Sequence, residues 1–216
     1  MKFSFKKIFE NLLKEVDVKE IGIFPGKFKP PHTGHFSTCL KASKENKMVL
    51  VLISSKEHEG ITAEMALEIW SIYKNYIPNI VPFICSPTPV LGCLEAANIL
   101  NNGAYKGLPA SPVSKSNIQE LFDASPEMSS FINVGNNIEL NLYASNEDIS
   151  RFKSIMKEPY MGKNVMSIKF KPVDRVTSAS KFRNTLSNKG DVSEFLPAEL
   201  SKEDKETIIN ILNVNV

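Results

Sequence analysis

Ile21-Gly22-Ile23-Phe24-Pro25-Gly26-Lys27-Phe28-Lys29-Pro30-Pro31-His32-Thr33-Gly34-His35 is the stretch whose reading decides the fold. Its first four residues are a short, apolar, β-prone run, and beyond it Phe36, Leu40 and Ala42 return at near-helical spacing. That order is strand, tight loop, helix. In an α/β sheet such a loop sits at a strand's carboxyl end, where ligands bind, and the following helix aims unpaired N–H groups and a partial positive charge at whatever occupies the loop. An anion is therefore the expected ligand. Gly26 and Gly34 let the backbone come close to it, while Pro30 and Pro31 stiffen the turn and remove two amide donors. His32 and His35 lie three residues apart, so both rings reach one point if the helix begins near His32. With Lys27 they make a set suited to phosphate. Lys29 is expected to face solvent, away from Lys27.

Outward from this loop the chain alternates strands and helices. Met48–Ser54 is a continuous apolar run, as a strand buried on both faces requires. It ends at Ser55-Lys56-Glu57-His58, where Lys56 is a candidate phosphate contact for a second substrate if the loop lines a pocket, and His58 reads as surface. Thr62 caps a helix over Ala63–Tyr76, in which Trp70 belongs to the core. Further strands are read over Ile80–Cys85, Ile138–Ala144 and Val165–Val173, and further helices over Leu91–Leu100, 118–122, Ala179–Leu186 and Lys202–Leu212. The helix from Ala179, capped by Thr177 or Ser178 and carrying Arg183, is a second N-terminus aimed at an anion. The loop over 103–116 has the length of a lid. Residues 2–17 form an amphipathic helix that packs on the sheet or on a second subunit. The resulting fold class is α/β: a Rossmann-like, doubly wound, parallel five-stranded sheet with C-terminal helices, divided into an N-terminal helix at 1–18 and one domain at 19–216.

The totals narrow the function. Lys and Arg number 26 against 24 Asp and Glu, a net charge of +2 that is too small for a polyanion-binding surface, so nucleic acid is not an expected partner. Cys39, Cys85 and Cys93 are odd in number and lack CxxC spacing, which reads as buried thiols in a reducing, cytoplasmic setting rather than a metal site. Charged residues interrupt the apolar positions of residues 1–18, and no apolar run approaches the ~20 residues of a membrane span.

Gly26 to His35 resembles the GxFxPxHxGH signature of the cytidylyltransferase-like nucleotidyltransferases, the HxGH superfamily, and Thr177-Ser178-Ala179-Ser180-Lys181-Phe182-Arg183 is similar to its S(S/G)(T/S)xxR segment near the C-terminus. The resemblance implies nucleotidyl transfer from a nucleoside triphosphate to a small phosphorylated acceptor, with release of pyrophosphate. It implies that His32 and His35 stabilise the α-phosphoryl group, that Lys27 bridges acceptor and α-phosphate, and that Ser178, Ser180 and Arg183 hold the β- and γ-phosphates. Gly26, Phe28 and Gly34 would belong to the nucleotide-binding loop. Tyr143 to Phe152 is similar to a further strand-end segment of the family, which makes Asp148 and Arg151 nucleotide contacts; Ala144 and Ser145 stand where that segment often has glycine. On the residues alone, Asp148 is equally a helix N-terminal charge and Arg151 a structural ion pair. Mg²⁺ would arrive on the triphosphate, with no protein metal site implied. The Lys27 form is nearer the GRFQPxHxGH of nicotinamide-mononucleotide adenylyltransferases than the GTFDxxHxGH of alcohol-phosphate cytidylyltransferases, which favours AMP transfer over CMP transfer. A class I aminoacyl-tRNA synthetase fragment shares HxGH but would bring a KMSKS-like lysine pair, absent here, and a nucleotide-binding regulatory protein without turnover would keep the same loop.

Overall fold

The computed structural model describes residues 19–102, 137–155, 164–174 and 178–213. The strands are β1 (Lys19–Gly26), β2 (Met48–Ser54), β3 (Ile80–Cys85), β4 (Ile138–Ala144) and β5 (Val165–Pro172), and the helices are α1 (Thr33–Glu45), α2 (Ala63–Lys74), α3 (Pro89–Asn102), α4 (Asn146–Ile155), α5 (Ala179–Ser187) and α6 (Lys202–Asn213). The strands form one parallel sheet in the order β3-β2-β1-β4-β5. The expected strands and their direction are therefore present. The helix expected over 2–17, the 103–116 loop and the helix at 118–122 fall outside the described residues.

Alternation along β2 shows why its run is unbroken. Val49, Val51 and Ile53 face one apolar layer with α1, α2, α5 and α6, while Leu50 and Leu52 face the other with α3 and α4. Pro82, which offers no N–H to a neighbour, sits in β3 at the sheet's edge. Thr62 caps α2 by accepting the Met65 N–H at 3.2 Å. The last helix reaches the first layer through Ile208 and Leu212 and lies against α2, tied by the Tyr76 hydroxyl donating to Asp204 at 2.5 Å. It covers a helix rather than the sheet itself.

At Gly92 the backbone of α3 packs closely against the sheet. A Cβ there would lie 2.5 Å from Cys85 Sγ and 2.9 Å from Cys85 Cβ. An alanine gains about 1 kcal/mol of helix propensity, but overpacking of this kind costs about 1–3 kcal/mol. Gly92→Ala is accordingly expected to be a net loss of roughly 1 kcal/mol, read from the urea midpoint at unchanged m-value.

Candidate active site

The site begins where β1 stops. Phe28 adopts φ +53°, a left-handed conformation that is uncommon for a bulky residue. Its ring folds back under Gly26, where a Cβ would lie 2.6 Å from the ring, so glycine is required there. The ring is 2% exposed and meets Phe24, His35 and Trp70 edge-on at centroid distances of 5.1, 4.9 and 5.3 Å. Phe28 is thus a pedestal for the loop. The turn also corrects the expectation for Lys29. The left-handed Phe28 turns the chain there, and Lys29 is buried at 1% exposure with its Nζ donating to the Ser54 carbonyl at 3.3 Å. Lys27 remains exposed.

His32 is the extended N-cap residue of α1, and His35 is the third residue of its first turn. The His32 backbone N–H donates to His35 Nδ1 at 3.3 Å, which places a lone pair on that nitrogen and the ring proton on Nε2. The two rings stack with centroids 3.6 Å apart and planes 22° from parallel. Burial pushes the His32 imidazole down to about 4, so it is neutral at pH 7, and its Nδ1 is buried with no hydrogen-bond partner. An unfolded histidine binds a proton near pH 6.5, so stability is lost as pH falls from 6.5 toward 4. Relative to His32→Gln, the protein is expected to lose on the order of 2–3 kcal/mol between pH 7 and 4, measured by urea unfolding of both at each pH.

A cleft of about 830 Å³ opens over the carboxyl ends of β1 and β4. These strands are neighbours whose connections leave in opposite directions, which is the switch point where doubly wound sheets bind ligands. The cleft brings together Gly26, Lys27, Phe28, His32, Gly34 and His35 from the first motif. Across from them stand Asp148 and Arg151 of α4 and Ser178 and Ser180 at the start of α5. Ser145 and Asp148 also cap α4 reciprocally: Ser145 Oγ donates to the Asp148 carboxylate at 2.8 Å and accepts the Asp148 N–H at 3.3 Å. Asp148 therefore serves the helix N-terminus and also lines the cleft.

Two expected residues lie outside the lining. Lys56 is exposed on the loop after β2. Arg183 is buried and committed elsewhere, with Nε and Nη2 on the Glu59 carboxylate at 2.5 and 3.2 Å, Nη1 on the Lys29 carbonyl at 2.7 Å, and Nη2 on Ser180 Oγ at 3.3 Å. Those hydrogen bonds hold the Glu59 carboxyl below its usual range. Conversely, Asp174 and Val90 line the cleft although their local sequence carries no motif. The only signal for Asp174 was its place just past a strand's carboxyl end. With Lys27, Arg151 and the N-termini of α1, α4 and α5 around it, the cleft is fitted to an extended anion with an attached apolar group beside Phe152 and Val173.

Among solved structures the chain is similar to a candidate nicotinate-nucleotide adenylyltransferase from Vibrio parahaemolyticus, with a TM-score of 0.52 and 15% identity over 89% of this chain and 100% of that one. The chain has that fold. A Plasmodium falciparum nicotinic acid mononucleotide adenylyltransferase complexed with APC is matched with a TM-score of 0.46 and 13% identity, over 90% of this chain and 94% of the other. No family model matches the sequence, and no curated protein does. What this similarity shows is the fold, the parallel sheet with its flanking helices.

Proposed function

We propose that the chain is a nucleotidyltransferase of the cytidylyltransferase-like HxGH family, passing AMP from ATP to a small phosphorylated acceptor. The observation that carries this reading is the stacked pair His32–His35 at the N-terminus of α1, inside the switch-point cleft. An acceptor phosphate oxygen attacks the α-phosphorus in line, the bond from that phosphorus to the β-phosphate bridging oxygen breaks, and pyrophosphate leaves with the bonding electrons. Little covalent participation is required of the protein, whose work is positioning and charge neutralisation. His35, with its proton on Nε2, donates to an α-phosphoryl oxygen, and neutral His32 stacks behind it. Lys27 neutralises charge between acceptor and α-phosphate. The hydroxyls of Ser178 and Ser180 and the start of α5 receive the departing pyrophosphate.

Mg²⁺ supplies charge neutralisation on the triphosphate that carries it. Among the described residues no group of three or more His, Cys, Asp or Glu side chains is placed to hold a metal ion. None of the described helices is long and apolar enough to cross a membrane. Lys56 has no part in this reading. The test is pyrophosphate release with Mg²⁺ and each of ATP, CTP, GTP and UTP, against nicotinamide mononucleotide, phosphopantetheine, glycerol phosphate, flavin mononucleotide and sugar phosphates. ATP with one acceptor is expected to turn over; nucleotide binding without release for any pair would overturn the reading.

A further inference from the structure

Lys29 is a buried cation that the phosphate chemistry above does not use. It sits in a closed polar circuit. From Ser54 at the end of β2 the chain runs through the loop to Glu59, whose carboxylate holds Arg183; Arg183 Nη1 donates to the Lys29 carbonyl, and Lys29 Nζ returns to the Ser54 carbonyl. The circuit joins the motif loop and α5, which both line the cleft, to the loop after β2, which lies outside it. Only Pro30 and Pro31 separate Lys29 from His32.

We propose that Lys29 is a positioning residue of the transfer site: its ammonium on Ser54 and its carbonyl under Arg183 pin the loop that carries His32 and His35, and the loop keeps its working geometry only while the ammonium is charged. A hydrogen bond from a charged donor is about twice as strong as one from a neutral donor, and the charge is also what the nearby carboxylate attracts. The groups facing it are Glu64 from the first turn of α2, Cys85 from the end of β3, and Arg183 from α5 through the Lys29 carbonyl. Burial raises the Cys85 thiol, which leaves it neutral. Desolvation pushes Lys29 down to about 8, against the opposing pull of Glu64. The sign follows: the anchor is charged below about pH 8 and is lost above it.

The kinetic arm of the test rests on the nucleotidyl-transfer reading; the structural arm does not. The three histidines allow the imidazole resonances to be followed by NMR from about pH 7 to 9.5, with His58→Gln for assignment. In the wild type the His32 and His35 resonances are expected to move with a midpoint near 8, and in Lys29→Arg, whose guanidinium stays charged, to hold still. For pyrophosphate release, kcat is expected to fall about tenfold from pH 7 to 9 in the wild type, with KM for ATP nearly unchanged, and less than twofold in Lys29→Arg. Wild-type resonances that stay fixed to pH 9.5, or the same midpoint in Lys29→Arg, would overturn the proposal. Resonances that move in a protein with no turnover would leave the anchor standing and remove the transfer reading instead.

Discussion

His35→Ala is expected to lower the rate of pyrophosphate release by on the order of a hundredfold or more, the loss typical of removing one donor aimed at developing charge. His35 Nδ1 is occupied by the His32 backbone N–H, which leaves the ring proton on Nε2; in the proposed mechanism that N–H is the donor to the phosphoryl group, set without reorganisation. The ring also stacks on His32 and rests on Phe28. His35→Gln separates the two contributions. Glutamine at the third helical position keeps an acceptor for the N-cap N–H and an N–H donor, but it has no ring to stack. Recovery of about tenfold over alanine assigns the effect to donation. Equal rates in the two variants would assign it to the stacked pair, and near-normal rates in both would sink the mechanism. Circular dichroism and a urea melt of each variant check that the fold is intact, as the half-exposed position of His35 leads one to expect.

Much of this arrangement was legible before any coordinates. Met48–Ser54 had to be a doubly buried strand because no polar residue interrupts it before Ser54, and the GxFxPxHxGH spacing marked the ligand end of β1. What escaped were contacts that depend on backbone sign or on long separations. Lys29 was expected in solvent, as a loop lysine ordinarily is, but the chain turns at the left-handed Phe28 and Lys29 is buried. Arg183 was expected on phosphate; its partner Glu59 is 124 residues away in sequence, on a loop whose mixed charge reads as surface. Lys56 failed for a related reason: a lysine at a strand's carboxyl end faces a ligand only if the loop bends over the cleft, and this loop is bound to Arg183 through Glu59 instead. Local pattern specifies elements and motifs, whereas loop side chains answer to partners that pattern does not name.

Trp70→Ala is expected to produce the largest loss of stability, about 3–5 kcal/mol, from the volume it empties. Against a usual total of about 5–15 kcal/mol, that brings the protein close to half unfolded under mild denaturant. Trp70 is fully buried and meets Phe24, Phe28 and Tyr73 edge-on at 6.3, 5.3 and 5.3 Å, so it is the base of a column that rises through Phe28 to His35. Its Nε1 is buried without a hydrogen-bond partner, which costs about 1–3 kcal/mol. That orphan makes Trp70→Phe the informative companion. Phenylalanine keeps the edge-on contacts and deletes the unpaired N–H, so the relief offsets the smaller ring and the net change is expected within about 1 kcal/mol of zero. Because the column supports the loop proposed to carry the chemistry, Trp70→Ala is also expected to lower kcat more than tenfold at temperatures where circular dichroism shows it still folded, and Trp70→Phe to leave kcat within about threefold. Full activity in folded Trp70→Ala would show that Phe28 stands on its own left-handed turn, and that the column beneath it matters to stability alone.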